Sequence, residues 1–131
     1  MECAAQRSDS GLYSFGDEMK QLGKHAWFDE NAADVDEMYA HQVGKKRPNV
    51  LGLYDMHGNV FEWCADWYGD DYYASSPAVD PVGPALGTRR VSRGGSWYDH
   101  PENCRSASRH GHMPDGRNPL LGFRVLRSSV K

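Results

Sequence analysis

The sequence has little of what most readily identified function classes need. Three cysteines, Cys3, Cys64 and Cys104, are spread over 131 residues with no Cys-x-x-Cys pair, so neither a disulfide scaffold nor a zinc ribbon can be built from them. Buried thiols are the ordinary reading, with a Cys64–Cys104 bridge left open. There is no excess of one charge: fifteen Lys and Arg against eighteen Asp and Glu give a formal −3 and a pI near 6.0. A nucleic-acid groove or a polybasic membrane patch needs a clustered surplus of cations, so neither partner is expected. No run approaches the roughly 20 apolar residues of a membrane helix. The start, Met1 to Arg7, has neither a basic n-region nor an apolar h-region. As written, the chain is expected in the cytoplasm; further sequence before residue 1 would leave extracellular or surface display open. Serine-nucleophile, phosphate-loop and dinucleotide motifs are also missing.

Aromatics and chain-reversing residues are present instead: 4 Trp, 7 Tyr, 4 Phe, 14 Gly and 7 Pro, at a mean hydropathy of −0.74. Long aliphatic runs are absent, so the expected domain is loop-rich with an aromatic core and is not a helical bundle. The length suits one domain.

Along the chain, residues 1–10 read as the end of a helix, and Gly11 to Phe15 as a short strand closed by Gly16-Asp17. Residues 17–24 suit one or two helical turns and 25–28 an aromatic extended piece. The acidic run 29–36 reads as a surface loop, and Gly44-Lys45-Lys46-Arg47-Pro48 as a solvated one. Residues 49–59 must turn repeatedly. Val60 to Tyr68 forms an aromatic strand, with Phe61, Trp63 and Ala65 on one face and Glu62, Cys64 and Asp66 on the other. A long ordered loop covers 69–88, and 89–97 is a strand broken at Gly94-Gly95. A second polar loop covers 98–121, and 122–127 is a final strand. Loops this long are uncommon unless functional or disordered, which directs attention to them. Arg105, Arg109 and Arg124 are expected to order them by pairing with carboxylates such as Asp66 or Asp80.

Three segments carry a resemblance. Gly52-Leu53-Tyr54-Asp55-Met56-His57-Gly58-Asn59-Val60-Phe61-Glu62-Trp63, Arg93-Gly94-Gly95-Ser96-Trp97 and Gly122-Phe123-Arg124-Val125 closely resemble the formylglycine-generating enzyme (sulfatase-modifying factor) family. The resemblance implies an α+β, C-type-lectin-like fold of short strands, long ordered loops and few helices. It takes in residues 1–131 as a single domain that corresponds to the C-terminal part of typical members.

The family's enzymes oxidise a sulfatase cysteine to formylglycine with O2 and a Cu(I) held by two thiolates, soft donors that suit this ion. Counted from Gly94-Gly95-Ser96, the resemblance puts Asp99 at the first cysteine position and Cys104 at the second. Aspartate is a hard ligand, so the pair is incomplete and an inactive domain is expected; the alternative is a copper-dependent formylglycine-generating oxidase using Cys104. The resemblance also implies a structural Ca²⁺ bound by Asp55, the Gly58 and Val60 carbonyls and Glu62, donors that suit a hard cation. The other reading of the two acids is that they bond turn amides or pair with an arginine. His110-x-His112, with His100, is a further metal candidate on residue type, without a carboxylate to complete it.

What remains for recognition is the loop 97–120. Trp97, Tyr98, Asp99, His100 and Asn103 stand at its start. Ser108, His110 and His112 follow, then Asp115, Gly116 and Asn118. Tyr, Ser, Gly, Asn and His are residues of adaptable recognition surfaces. The segment is similar to those of variable proteins of diversity-generating retroelements, where mutated adenines turn Asn codons into Tyr, Asp, His, Ser or Gly. The expected function is binding of a protein or small ligand through this loop.

Overall fold

The computed structural model describes residues 11–77, 79 and 81–127; the helix expected over 1–10 lies outside them, as do Cys3 and Asp80. The fold is α+β with little regular structure. A 3-10 turn at Met19–Gln21 runs into α1 (Leu22–His25), and further 3-10 turns occupy Asp29–Asn31 and Ala33–Val35. The sheet consists of β1 (Phe61–Trp67), β2 (Arg90–Arg93), β3 (Arg109–His112) and β4 (Leu121–Gly122), in the order β3-β2-β1-β4. A helical turn α2 (Tyr72–Ser75) and a 3-10 turn Pro101–Cys104 complete the elements. Among the described residues no helix is long and apolar enough to cross a membrane.

The strand expected over 60–68 is present as Phe61–Trp67, and its alternation holds over Phe61, Glu62 and Trp63; beyond them the register shifts, and Ala65, expected beside Phe61 and Trp63, is exposed. β2 runs antiparallel to β1 and to β3, so Trp63, Ser92 and His110 form one cross-strand row and Glu62, Arg93 and Arg109 the next, on the opposite face. Both the His110 and His112 rings touch Phe61, at centroid distances of 4.9 and 5.6 Å. A bulge interrupts the β1–β2 register between Trp63 and Trp67.

Four expectations are corrected. The 98–121 loop is not continuous: β3 pairs along its whole length with β2 and divides it into two shorter segments. The final strand stops at Gly122, and Phe123 and Val125 are exposed, because only Leu121 and Gly122 find partners on β1. Gly11 to Phe15 contributes a two-way bridge from Tyr13 to Gly16, too tight a turn for a strand. The acidic run is not a bare loop. Its first residue, Asp29, is buried, and Phe28 N–H donates to the Asn31 side chain to close the turn.

The core is small and mixes aromatic with aliphatic and sulfur side chains. Tyr13, Leu22, Ala26, Phe28 and Cys104 form one buried cluster with Phe15 packed on it, while Phe61, Val91 and Trp97 are buried elsewhere. Chain segments far apart in sequence meet at Gly58, whose φ is +66° and where a Cβ would lie 2.0 Å from the Trp27 carbonyl oxygen. Asn59 N–H donates to that same carbonyl at 2.7 Å and Gly58 N–H to Gly94 O at 2.7 Å. Any side chain at 58 would push these apart.

Candidate functional site

Cys104 sits at the end of the Pro101–Cys104 turn and is fully buried. A Cβ on Gly95, at φ +76°, would approach its sulfur to 2.6 Å, so the double glycine is what lets the β2 exit pass over the thiol. Burial, with the Asp99 and Asp29 carboxylates behind it, pushes this thiol up to about 12, against two backbone amides that favour the thiolate. The first of the two expected thiolate positions holds Asp99, whose carboxylate accepts the Ser96 hydroxyl and, at 3.4 Å, the Asn103 amide. Asp99 O also receives Asp29 N–H at 3.1 Å. Two thiolates are needed for a Cu(I) site; here one donor is a hydrogen-bonded carboxylate and the other a protonated, sealed thiol. The copper ion does not fit these residues. Cys64, half-buried on β1, is not bridged to Cys104.

Beneath this loop lies His57, a residue that composition and spacing gave no reason to single out. It is buried, and burial pulls it down to about 4. Ser14 N–H and Ser14 Oγ both meet Nε2, at 3.0 and 2.7 Å, so Nε2 accepts and Nδ1 carries the proton to Cys104 O at 2.7 Å. One neutral imidazole thus ties three distant segments together.

The eleven candidate recognition residues fall into separate groups. Trp97 is buried and Tyr98 beside it is exposed, the two rings edge-on at 5.8 Å. His100 is exposed, and its Nδ1 is bonded to the buried Asp29 carboxylate, which raises its proton affinity. Asn103 is half-buried against Asp99, and Ser108 Oγ donates to Glu102 O at 2.9 Å. His110 and His112 lie on the sheet face, His112 Nδ1 within 2.8 Å of Ser92 Oγ. Asp115, Gly116 and Asn118 are exposed on a turn closed by Gly116 N–H to Met113 O, with Asn118 Oδ1 accepting Leu120 N–H. Among the described residues no group of three His, Cys, Asp or Glu side chains converges as metal ligands, so His100 does not join the β3 pair.

Asp55, Gly58, Val60 and Glu62 do come together. All four line one cavity of about 440 Å³, with Gly44, Phe123 and Arg124 on its wall. Asp55, at φ +54°, accepts Gly44 N–H through Oδ2 at 2.7 Å, while its Oδ1 is buried with no partner. Both Glu62 oxygens accept from Arg124, at 2.7 to 3.1 Å, and the same guanidinium donates to the Tyr54 and Asp55 carbonyls. Arg124 therefore pairs with Glu62, and Arg105 and Arg109 reach the Glu102 and Gly69 carbonyls, in place of the pairings expected with Asp66. A carboxylate oxygen has more than one lone pair. Each acid has the partner that the other reading gave it, a turn amide for Asp55 and an arginine for Glu62. The bare, buried Asp55 oxygen on an oxygen-lined cavity is the feature compatible with a hard cation such as Ca²⁺.

Comparison with known proteins gives a consistent picture. A family model described as "Sulfatase-modifying factor enzyme 1-like domain" matches residues 1–129. The chain is 41% identical over 127 residues to a formylglycine-generating enzyme of Streptomyces coelicolor, covering 89% of this chain and 40% of that protein. Among solved structures it is similar to Treponema denticola variable protein 1 (TM-score 0.78, 36% identity, 93% of this chain and 42% of that one). It is also similar to PvdO from Pseudomonas aeruginosa (TM-score 0.75, 30% identity, 93% and 47%). The chain thus spans less than half the length of these relatives.

Proposed function

Since this chain belongs to the sulfatase-modifying factor enzyme 1-like domain family, we propose that it is a catalytically silent member that binds a protein or small ligand through residues 97–120. The observation that carries this reading is the fate of the copper donors. Cys104 is sealed with its thiol pushed up to about 12, and its partner position is an aspartate engaged by Ser96 and Asn103. Recognition falls to what the two loop segments expose, chiefly Tyr98, His100, Asp115 and Asn118. Their residue types favour adaptable contacts with little entropy loss at the aromatic.

The 36% identity to a variable protein supports a sharper form, in which the segment is diversified by a retroelement. A near-identical DNA repeat beside a reverse transcriptase, differing only at adenines, would bear this out, and its absence from the genome would remove it. The second reading, a copper-dependent formylglycine-generating oxidase, is favoured by the 41% identity to an enzyme of that name. The two are separated by incubating the protein with Cu(I), O2 and a Cys-x-Pro-x-Arg peptide. We expect no aldehyde product and no stoichiometric Cu(I) binding; turnover that vanishes in Cys104→Ala would overturn the silent reading. A structural Ca²⁺, held by Asp55, Gly58, Val60 and Glu62, is part of the proposal: it would supply a positive centre on which the 55–62 turn closes.

A further inference from the structure

On the sheet face away from His110 and His112, two arginines of β2 and β3 meet Tyr68 and Tyr73. Arg109 stands opposite Arg93 across β2 and β3. Like charges directly opposite on neighbouring strands repel, so such a pair normally has a carboxylate between its members. Here it has none. Arg93 donates to the Tyr73 hydroxyl at 2.7 Å and to Ser106 O at 3.2 Å, and Arg109 donates to Gly69 O. All of these acceptors are neutral. Glu62, which faces Arg93 in the β1–β2 register, is held by Arg124. Arg89 pairs with the exposed Asp70 at 3.5 Å, and neither Arg93 nor Arg109 takes part in that pair.

Aromatic rings hold the Arg109 guanidinium in place, and Arg93 is tied to the same Tyr73 through its hydroxyl. Arg109 lies 4.8 Å from the Tyr68 ring centroid and 4.4 Å from that of Tyr73. Arg89 lies 4.8 Å from the same Tyr68 ring. Tyr68 itself packs over Gly111, where a Cβ would come within 2.7 Å of the ring. Stacking fixes the Arg109 guanidinium plane while leaving its edges open. Of five N–H donors on each guanidinium, two on Arg93 and one on Arg109 are used. Both residues are half-exposed, so the remaining donors are within reach of a ligand.

We propose that Arg109, shelved on Tyr68 and Tyr73, and Arg93, bonded to the Tyr73 hydroxyl, form a binding site for a tetrahedral oxyanion, a phosphate or sulfate group. Two pre-oriented forks bearing unspent donors and uncompensated charge are what bidentate oxyanion recognition needs. The bound anion would relieve the repulsion between the two arginines, so binding should also stabilise the fold. Arg109 lies within residues 97–120 but on β3, on the sheet face opposite His110 and His112 and outside the eleven candidate recognition residues, so this site is separable from the exposed loop residues of the proposed function.

The test is calorimetric titration and thermal melting of the intact chain with inorganic phosphate, inorganic sulfate and phenyl phosphate, with sodium chloride at matched ionic strength as reference. Saturable one-to-one binding is expected, with a melting temperature that rises with anion concentration beyond the chloride control. Arg109→Gln should weaken it about tenfold or more. Arg109→Lys, which keeps the charge but loses the fork, should fall between. Tighter binding of phenyl phosphate than of the inorganic ions would assign the site to a phosphomonoester stacked on Tyr73; equal binding would assign it to the free oxyanion. If phosphate and sulfate stabilise the wild-type chain no more than chloride, the proposal is wrong. It is equally wrong if Arg109→Gln binds as well as wild type. Should that variant not fold, unchanged affinity in Arg109→Lys overturns it.

Discussion

Cys104 and Asp99 differ from a copper-binding pair by one side chain, yet the difference reaches beyond ligand count. An aspartate at 99 adds a negative charge beside a buried thiol, and that charge joins burial in holding the thiol protonated. Nucleophilic and metal-binding reactivity both require thiolate. Native Cys104 should therefore resist alkylation by iodoacetamide at pH 8 and react once the chain is unfolded, as read by mass spectrometry of the peptide containing residue 104. Rapid labelling of the folded chain would mean that the thiol is neither sealed nor protonated, and the silent reading would lose its main support. His57 is the other decisive single residue, because its two ring nitrogens each hold a different chain segment. His57→Ala should cost about 2–4 kcal/mol in urea unfolding, through lost packing and orphaned buried groups. A cost under 1 kcal/mol would show that the three segments are tied together by other contacts.

At the scale of elements, β4 is two residues long and would be a weak edge without a fastening. That fastening is Arg124, two residues past the strand, which clamps Glu62 on β1 and the Tyr54 and Asp55 carbonyls of the preceding turn. Arg124→Gln leaves a half-buried carboxylate without its partner and should cost about 1–3 kcal/mol. If Ca²⁺ also occupies the cavity, EGTA should lower the melting temperature of the wild-type chain and leave that of Asp55→Asn unchanged. An unmoved wild-type curve would remove the ion. These contacts also mark where the sequence was readable. The β1 alternation could be read because Phe61, Trp63 and their polar neighbours follow a two-residue period, and the Gly94-Gly95 break because glycines announce turns. That Asp55 and Glu62 line one site was implied by the family resemblance alone, and both do line the same cavity. That Arg124 serves Glu62 depends on β4 lying parallel to β1, a contact 62 residues apart in sequence. β3 was hidden for a similar reason: Arg-His-Gly-His has no strand-like composition, and it is a strand because β2 offers it an unpaired edge. His57 carries no periodic signal at all. Its role exists only once Ser14 and Cys104 have converged on it.

For the molecule as a whole, the acid response follows from how its histidines are placed. His57 is held near 4 in the fold against an ordinary value of about 6.5 in the unfolded chain. Between those two values the unfolded chain binds a proton that the native state refuses, so stability rises with pH across this window and is lost as pH falls through it. The largest loss from this one residue is about 3 kcal/mol, reached near pH 4. His25 and His112 are also depressed by burial and push in the same direction. His100 works the other way. Its bond to Asp29 raises it, so its contribution is present in acid and fades as pH rises through its elevated value. Because His100 is exposed, solvent screening keeps that opposing effect small. The chain as a whole should therefore weaken steadily from pH 7 to pH 4, well before its carboxylates are fully protonated. His57→Gln, which cannot titrate, should start less stable at pH 7 but lose much less over the same range. Urea midpoints of both proteins at pH 7, 5.5 and 4 decide the matter. Parallel losses in the two would assign the acid sensitivity to other groups, while converging curves would place it at the imidazole joining Ser14 to Cys104.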